Sequence, residues 1–485
     1  AGLPNAPSAY DPFNHPKKAA ERRGQVLDAM VATGDITEKE AKKADTIPVK
    51  KLLTKEKEDS EPPYYGAFLQ EVYKELVKER KIVSDKQFSQ GGLKIYTTVD
   101  PKAQQTAYQL QHSDEIPYPD KNFDLGAALI DTNSGAIRAI GGGRHYTSFQ
   151  SGTNRALTPN QPGSNIKPVL DYGPAVEFLK WPTSHQIVDE KYKYPGSDTV
   201  VGEWDGDYWG SMSIRKALAW SRNVPAVKTL VATTKEVGKK KVSEFVNSLG
   251  VPLNEDYYYS AALGATDVSP LQMAGAYATF GDNGVHHKPY AVRKVVFPNG
   301  KTVEINDDPT VAMHDYTAYM ITDMLKSVVD TGTGQLANIS GLPVAGKTGS
   351  TQIPDKIKEK YGITEDGYLD EWFTGYTPEY TLSVWTGYPT LEDKDGNVQF
   401  IHFGDGIDPT DLAKVYFKKL MTEVSSDDVS DWKMPDSVVK ASVEEDTGML
   451  ASENTPEDDI ITGLFVKGTQ PTEVSDKYKK LESPA

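Results

Sequence analysis

The 485-residue chain has no cysteine. That excludes disulfides, cysteine-based metal sites and thiol catalysis, and fits a compartment where free thiols are a liability. No apolar run approaches the ~18 residues of a membrane span, and no signal peptide opens the chain. Basic residues are outnumbered, 53 Lys and Arg against 69 Asp and Glu, so neither nucleic acid nor an anionic membrane surface is expected as a partner. The eight histidines show no metal-like spacing, adjacent His286-His287 reads as a loop beside "GDNG", and no metal or cofactor is expected. There is no internal repeat. The opening "AGLPNAPSAYDPF" reads like the middle of a longer protein, so a processed or engineered fragment is expected.

What is present is enough chain for two to four structural units of ordinary soluble composition. Residues 17–45 read as two helices: Gly34 ends the first, and Thr37 with Glu40 forms a capping box for the second. "VKKLLTKEKEDSEPP" reads as a linker or exposed loop. Residues 64–80 place Phe68, Leu69, Val72, Tyr73 and Leu76 on one helical face. A strand over 93–99 follows, then a helix with Asp100 as N-cap and Pro101 at its first position.

From about residue 122 the pattern becomes a hairpin turning at Asp131–Gly135. Helices are expected near 213–221, 225–247, 269–281 and 315–329. After Gly349 two strands flank Thr377–Glu379, with Tyr380, Leu382 and Val384 outward from Thr381, Ser383 and Trp385. Strands, a helical block, then strands indicate an α+β domain with an antiparallel sheet and helical layers. Residues 424–440 are acidic and expected to be loose, and the last 45 residues read as a short β module with a polar tail.

Within "NQPGSNIKPVLDYGPAVE", a helix opening near Ser164 would stack Lys167 one turn on, beside the Ser164 hydroxyl. This suits a serine nucleophile with a lysine base, and equally an ordinary capped helix. S-x-x-K occurs four times, at Ser164, Ser213, Ser430 and Ser437. Ser430 and Ser437 lie in the acidic tail, and Ser213 reads as the N-cap of the helix that also carries S-x-N at Ser221 and Asn223. Ser164 alone has Pro-Gly before it, S-x-N after it, and the single K-T-G at Lys347–Gly349 further on. Pro225 is expected to stop the helix near Asn223, leaving "SRN" at a helix end facing a cleft. "VAGKTGST" has the small residues of a strand edge that a ligand backbone can approach.

With these motifs the chain resembles the penicillin-binding proteins, specifically the bifunctional class A type of Gram-positive bacteria, over nearly its whole length. "GGLKIYTTVDPKAQQTA", "NRALTPNQPGSNIKP", "ALAWSRNVPAV", "VSPLQMAGAYATFGDNG", "TGTGQLANISGLPVAGKTGST" and "EWFTGYTP" look like that family's transpeptidase part. The resemblance implies a penicillin-binding/β-lactamase-like transpeptidase fold over 122–423. It also implies the tail of a glycosyltransferase domain over 1–50, a linker domain over 51–121 and a C-terminal β extension over 424–485. The glycosyltransferase glutamates lie upstream of that tail in the family, so no glycan polymerisation by this chain is expected.

The resemblance further implies D,D-transpeptidation. Ser164 attacks the penultimate D-Ala carbonyl of a stem peptide ending in D-Ala-D-Ala, and the ester passes to an amine on a neighbouring stem peptide. Lys167 is the expected base, with its pKa depressed by burial beside the Lys347 ammonium. Ser221 relays a proton to the leaving amine, and Asn223 holds a substrate amide. Lys347, Thr348 and Ser350, with Gly349 between them, bind the terminal carboxylate, and the backbone N–H groups of Ser164 and Ser350 form the oxyanion hole. One departure stands at Asn165, where the family usually has Thr or Ser. Its larger amide is expected to alter local hydrogen bonding beside the substrate, and with it reactivity toward β-lactams.

Trp372 and Phe373 either line the cleft or pack in the core. A class A β-lactamase reading needs E-x-x-L-N after S-x-N, which "LNEDYYYSAALGA" does not match. A D,D-carboxypeptidase and a non-catalytic β-lactam-binding scaffold stand as alternatives. Expected partners are stem peptides, β-lactam inhibitors and other wall-synthesis proteins, at the outer face of the cell membrane.

Overall fold

The β-rich segments on either side of the helical block pair into one sheet, so strands distant in sequence become neighbours. The computed structural model describes residues 10–12, 15–53, 62–146, 149, 152–305, 308–402 and 408–478. Most of the opening segment, the centre of "VKKLLTKEKEDSEPP" and the polar tail from 479 lie outside the described residues. The chain divides into two compact units, Ala1–Pro63 and Tyr64–Ala485. In the first, helices Pro16–Ala32 and Glu38–Asp45 meet at a turn carrying Gly34 at φ +78°, and Thr37 and Glu40 form the expected reciprocal cap.

The second unit is built on strands Asp124–Asp131 (β1), Ile137–Gly141 (β2), Ala345–Gln352 (β3), Tyr368–Tyr376 (β4) and Tyr380–Gly387 (β5). They form one antiparallel sheet in the order β3-β4-β5-β1-β2, with β3 at an edge. The helices that matter here are Pro101–His112 (α1), Asn223–Val237 (α2), Pro270–Gly281 (α3), Asp315–Asp330 (α4) and Leu412–Val424 (α5). Trp372 lies opposite Trp385, and both pack with Met273, Tyr277 and Met324 from α3 and α4. Phe373 lies opposite Val384, and these pack with Leu110 of α1 and Phe417 of α5. Trp372 and Phe373 are therefore both core residues on opposite faces, each burial stabilising by on the order of 2 kcal/mol or more.

Covering both faces corrects the expectation of an outward row at Tyr380, Leu382 and Val384. Every residue from Thr381 to Gly387 is buried. The polar members of that strand find partners on neighbouring segments: Thr381 meets Thr132 at 2.9 Å and Ser383 meets Thr374 of β4 at 2.8 Å.

Two helix expectations also change. The helix expected over 225–247 breaks at Gly238, whose φ of +83° separates α2 from Lys239–Ser248. Pro225 does not stop a helix; it sits in the first turn of α2, where its missing N–H costs nothing. The acidic stretch after α5 is pinned rather than loose. The Trp432 indole donates to Gly281 O at 3.0 Å, and its ring meets Tyr376 edge-on. The C-terminal hairpin of Val438–Glu444 and Ile460–Val466 buries Val438, Leu464 and Val466 in the same core as α3 and α4. Strand Lys94–Thr97 pairs with Val292–Val296. Among the described residues, no helix is long and apolar enough to cross a membrane.

Candidate active site

A helical run from Gly163 to Leu179 begins as a 3₁₀ turn, Gly163–Ile166, and passes through a π segment, Pro168–Tyr172. In a 3₁₀ turn residues i and i+3 eclipse, which sets Ser164 and Lys167 on one side of the chain. Helix Ile214–Ala219 ends before Ser221, which takes φ +57°, and α2 starts at Asn223. A left-handed serine costs on the order of 1 kcal/mol, and here it turns "SRN" between two helices. Ser164, Ser221, Asn223, Thr348, Gly349 and Ser350 converge on one cavity of about 370 Å³.

Two fully buried lysines lie beneath it and share Ser221. Lys347 Nζ donates to Ser221 Oγ at 2.9 Å, Thr348 O at 3.0 Å and Thr348 Oγ1 at 3.2 Å. Lys167 Nζ donates to Ser221 O at 2.7 Å, Asn223 Oδ1 at 2.8 Å and Arg222 O at 3.1 Å, and reaches Ser221 Oγ at 3.4 Å. Among the described residues no hydrogen bond joins Ser164 Oγ to either lysine. As an ammonium, Lys167 commits its three protons to these acceptors. A neutral amine has only two, so losing a proton releases one acceptor and exposes a lone pair.

Burial pushes the Lys167 ammonium down to about 8, against the pull of Glu203 and Asp171, and Arg222 adds to the lowering. Lys347 is held well below the usual lysine range, first by burial and then by the Lys167 charge. The two lysine charges repel each other, as the sequence reading expects, and Arg222 is a further cation beside Lys167.

Asn165 is not at the cavity. It is fully buried, its side-chain amide donates to Lys347 O at 2.6 Å, and its backbone carbonyl accepts from Tyr277 OH at 2.6 Å. It ties the turn that carries Ser164 to β3 and α3.

The same turn meets β3 backbone to backbone. A Cβ on Gly163, which has φ +51°, would lie 2.3 Å from Ser350 O, and one on Gly349 would lie 2.2 Å from Pro162 O. Gly349→Ala is expected to lower stability by about 1–3 kcal/mol in a denaturant titration. An unchanged midpoint would show that the two segments can separate cheaply.

Several residues around the site carried no signal in sequence. Arg222, fully buried, bonds Asp189 at 2.8 Å and Asp205 at 2.7 Å, bonds Asp207 O, and lies 4.3 Å from the Trp209 ring centre. The Glu203 carboxylate accepts from the N–H groups of Asn223 at 2.9 Å and Val224 at 2.7 Å, capping α2 from outside the helix. Glu371, beside Trp372 in "DEWF", lines the cavity with Lys414, Trp204 and Thr333. Thr348 Oγ1 meets Thr333 Oγ1 at 2.8 Å, and Ser350 Oγ donates to Glu371 Oε2 at 2.9 Å.

Residues 125–406 match the family described as penicillin binding protein transpeptidase domain, and residues 434–480 match penicillin-binding protein 1A, C-terminal domain. The chain is 42% identical to penicillin-binding protein 1A/1B of Bacillus subtilis across 99% of its own length, and spans 52% of that protein. It is 38% identical to penicillin-binding protein 1A of Streptococcus oralis, over 90% of this chain and 68% of the relative. In fold it is similar to penicillin-binding protein 1A from Haemophilus influenzae, with TM-score 0.70 at 20% identity, covering 98% of this chain and 85% of that one. It is likewise similar to the PonA1 protein of Mycobacterium tuberculosis in complex with penicillin V, with TM-score 0.62 at 22% identity, over 77% and 96% of the two chains.

Proposed function

Because this chain belongs to the class A penicillin-binding proteins and carries their transpeptidase domain, we propose that its cavity performs acyl-serine D,D-transpeptidation on peptidoglycan stem peptides and is acylated there by β-lactams. The observation that supports this best is the meeting of three distant segments at Ser221, whose hydroxyl lies within reach of both buried lysines while Ser164 lines the same cavity.

In this reading neutral Lys167 takes the proton of Ser164 Oγ as that oxygen bonds to the penultimate D-Ala carbonyl carbon. The tetrahedral oxyanion is held by the backbone N–H groups of Ser164 and Ser350. β3 is the sheet's edge, so alternate N–H groups on it face away from β4 and toward the nucleophile turn. Collapse breaks the peptide bond, and the terminal D-Ala nitrogen takes a proton through Ser221 from the lysine pair. The Ser164 ester then passes to an acceptor amine. Lys347, Thr348, Gly349 and Ser350 form the carboxylate end of the cavity, and Asn223 Nδ2 has a second hydrogen available beyond the one given to Gly202 O.

On the same reading residues 1–50 correspond to the end of the family's glycosyltransferase domain, 51–121 to a linker domain, 122–423 to the transpeptidase domain and 424–485 to the C-terminal extension. The site then works at the outer face of the cell membrane.

Labelling with a fluorescent penicillin followed by peptide mapping is expected to place a single ester on Ser164. A donor peptide with an acceptor amine should then yield cross-linked dimer as well as free D-Ala. An adduct on another residue, or none, defeats the reading. Free D-Ala with no dimer reassigns the chain as a carboxypeptidase.

A further inference from the structure

Glu371 has no part in the chemistry above, yet it is one of the walls of the cavity. Only 3% exposed, it sits on β4 directly across from Ser350 of β3, and among the described residues its Oε1 has no hydrogen-bond partner. Its other oxygen takes the only proton Ser350 has to give, at 2.9 Å. Lys414, also at the cavity wall, spends its ammonium on Asp411 at 2.6 Å. An acid so placed beside a site for a carboxylate requires an account, since two negative charges in a poorly solvated cavity repel strongly.

We propose that Glu371 is a positioning residue for the terminal carboxylate of the acyl donor. Acting through Ser350, it donates a hydrogen bond to that residue's oxygen and so turns the Ser350 proton toward the ligand. The inference rests on the acyl-serine reading above. Ser350 has one O–H, so it can serve a ligand carboxylate only by withdrawing that O–H from Glu371. An ionised Glu371 would then lose its sole hydrogen-bond donor and face a second anion. A neutral carboxyl gains instead: its own O–H replaces the bond, giving a chain from Glu371 to Ser350 to the ligand, with no charge added.

Burial holds Glu371 well above the usual carboxylate range. The Ser350 hydrogen bond and the Lys414 charge work against this, while Asp411 and Asp370 reinforce it. These, with Lys347 on β3, are the charged groups that face it.

The test compares the parent, Glu371→Ala and Glu371→Gln, separating the apparent dissociation constant of a fluorescent penicillin from its limiting acylation rate. Glu371→Ala is expected to weaken binding about tenfold while the limiting rate stays within about threefold. Glu371→Gln, whose amide can still donate to Ser350 Oγ, should stay within about threefold on both. An infrared difference spectrum of parent against Glu371→Gln at neutral pH should show a protonated-carboxyl stretch present only in the parent.

Equal damage from Gln and Ala, a loss confined to the limiting rate, or a purely carboxylate spectrum overturns the inference and leaves the acyl-serine reading intact. A parent that fails to acylate overturns both.

Discussion

Substituting Lys167 by methionine is expected to slow acylation of Ser164 by about 10²- to 10⁴-fold, the range over which a positioned base accelerates such steps. The parent rate should climb as pH rises through about 8, because only the neutral amine accepts the serine proton and burial has brought its titration down to that region. Below that pH the ammonium stays bonded to Ser221 O, Asn223 Oδ1 and Arg222 O and is idle as a base. Glu203 is the largest charge holding the proton on, so Glu203→Gln should move the rise to lower pH. Stopped-flow acylation across pH, with thermal midpoints for each variant, separates lost catalysis from lost folding. A Lys167→Met protein that is stable and acylates at the parental rate removes Lys167 from the mechanism.

Arg222→Met is expected to cost about 3–5 kcal/mol, since the buried acids around it lose their cation. Asp189 and Glu203 have side chains with no exposure, and Asp189 Oδ1 already lacks a partner. Removing Asp189 as well, in Arg222→Met with Asp189→Asn, should recover part of the loss, because one uncompensated charge goes with it. Denaturant titration of the two single variants and the double variant measures this coupling. Single and double variants of equal stability would mean that the cluster holds no more than a surface ion pair. Acylation should fall alongside stability, because Arg222 fixes the turn that presents Ser221 and Asn223.

How far the fold and site could be read beforehand followed the range of the interactions involved. Caps at Thr37 and Asp100 close within three residues, and both stand as expected. Ser164, Ser221 and Lys347 announced themselves by residue type and order. Where the structure departed, a distant partner decided. Asn165 reads as a cavity residue by its place in the motif, but a carbonyl on β3 claims its amide. The row of Leu382 and Val384 reads as half-exposed alternation, but α1 and α5 cover it. Arg222 sits inside a recognised motif, yet its acids lie at a strand end, Asp189, and in the loop beyond it, Glu203 and Asp205, and nothing local connects them to it. Glu371 needed knowledge of which residue lies opposite Ser350, and register is a property of the folded sheet.

The glycines behind Ser164 have a consequence for how such a pocket can change. Gly264 brings its Cα hydrogens against Gly163 as closely as Gly163 and Gly349 approach their own neighbours, a Cβ there falling 2.4 Å from Gly163 N. Main chain therefore touches main chain where Gly163 meets Ser350 and Gly264, and at those contacts there is no side chain to shorten, rotate or exchange. Adaptation to a bulkier acyl group is then left to lining residues that carry replaceable side chains, Trp204, Leu263 and Lys414 among them.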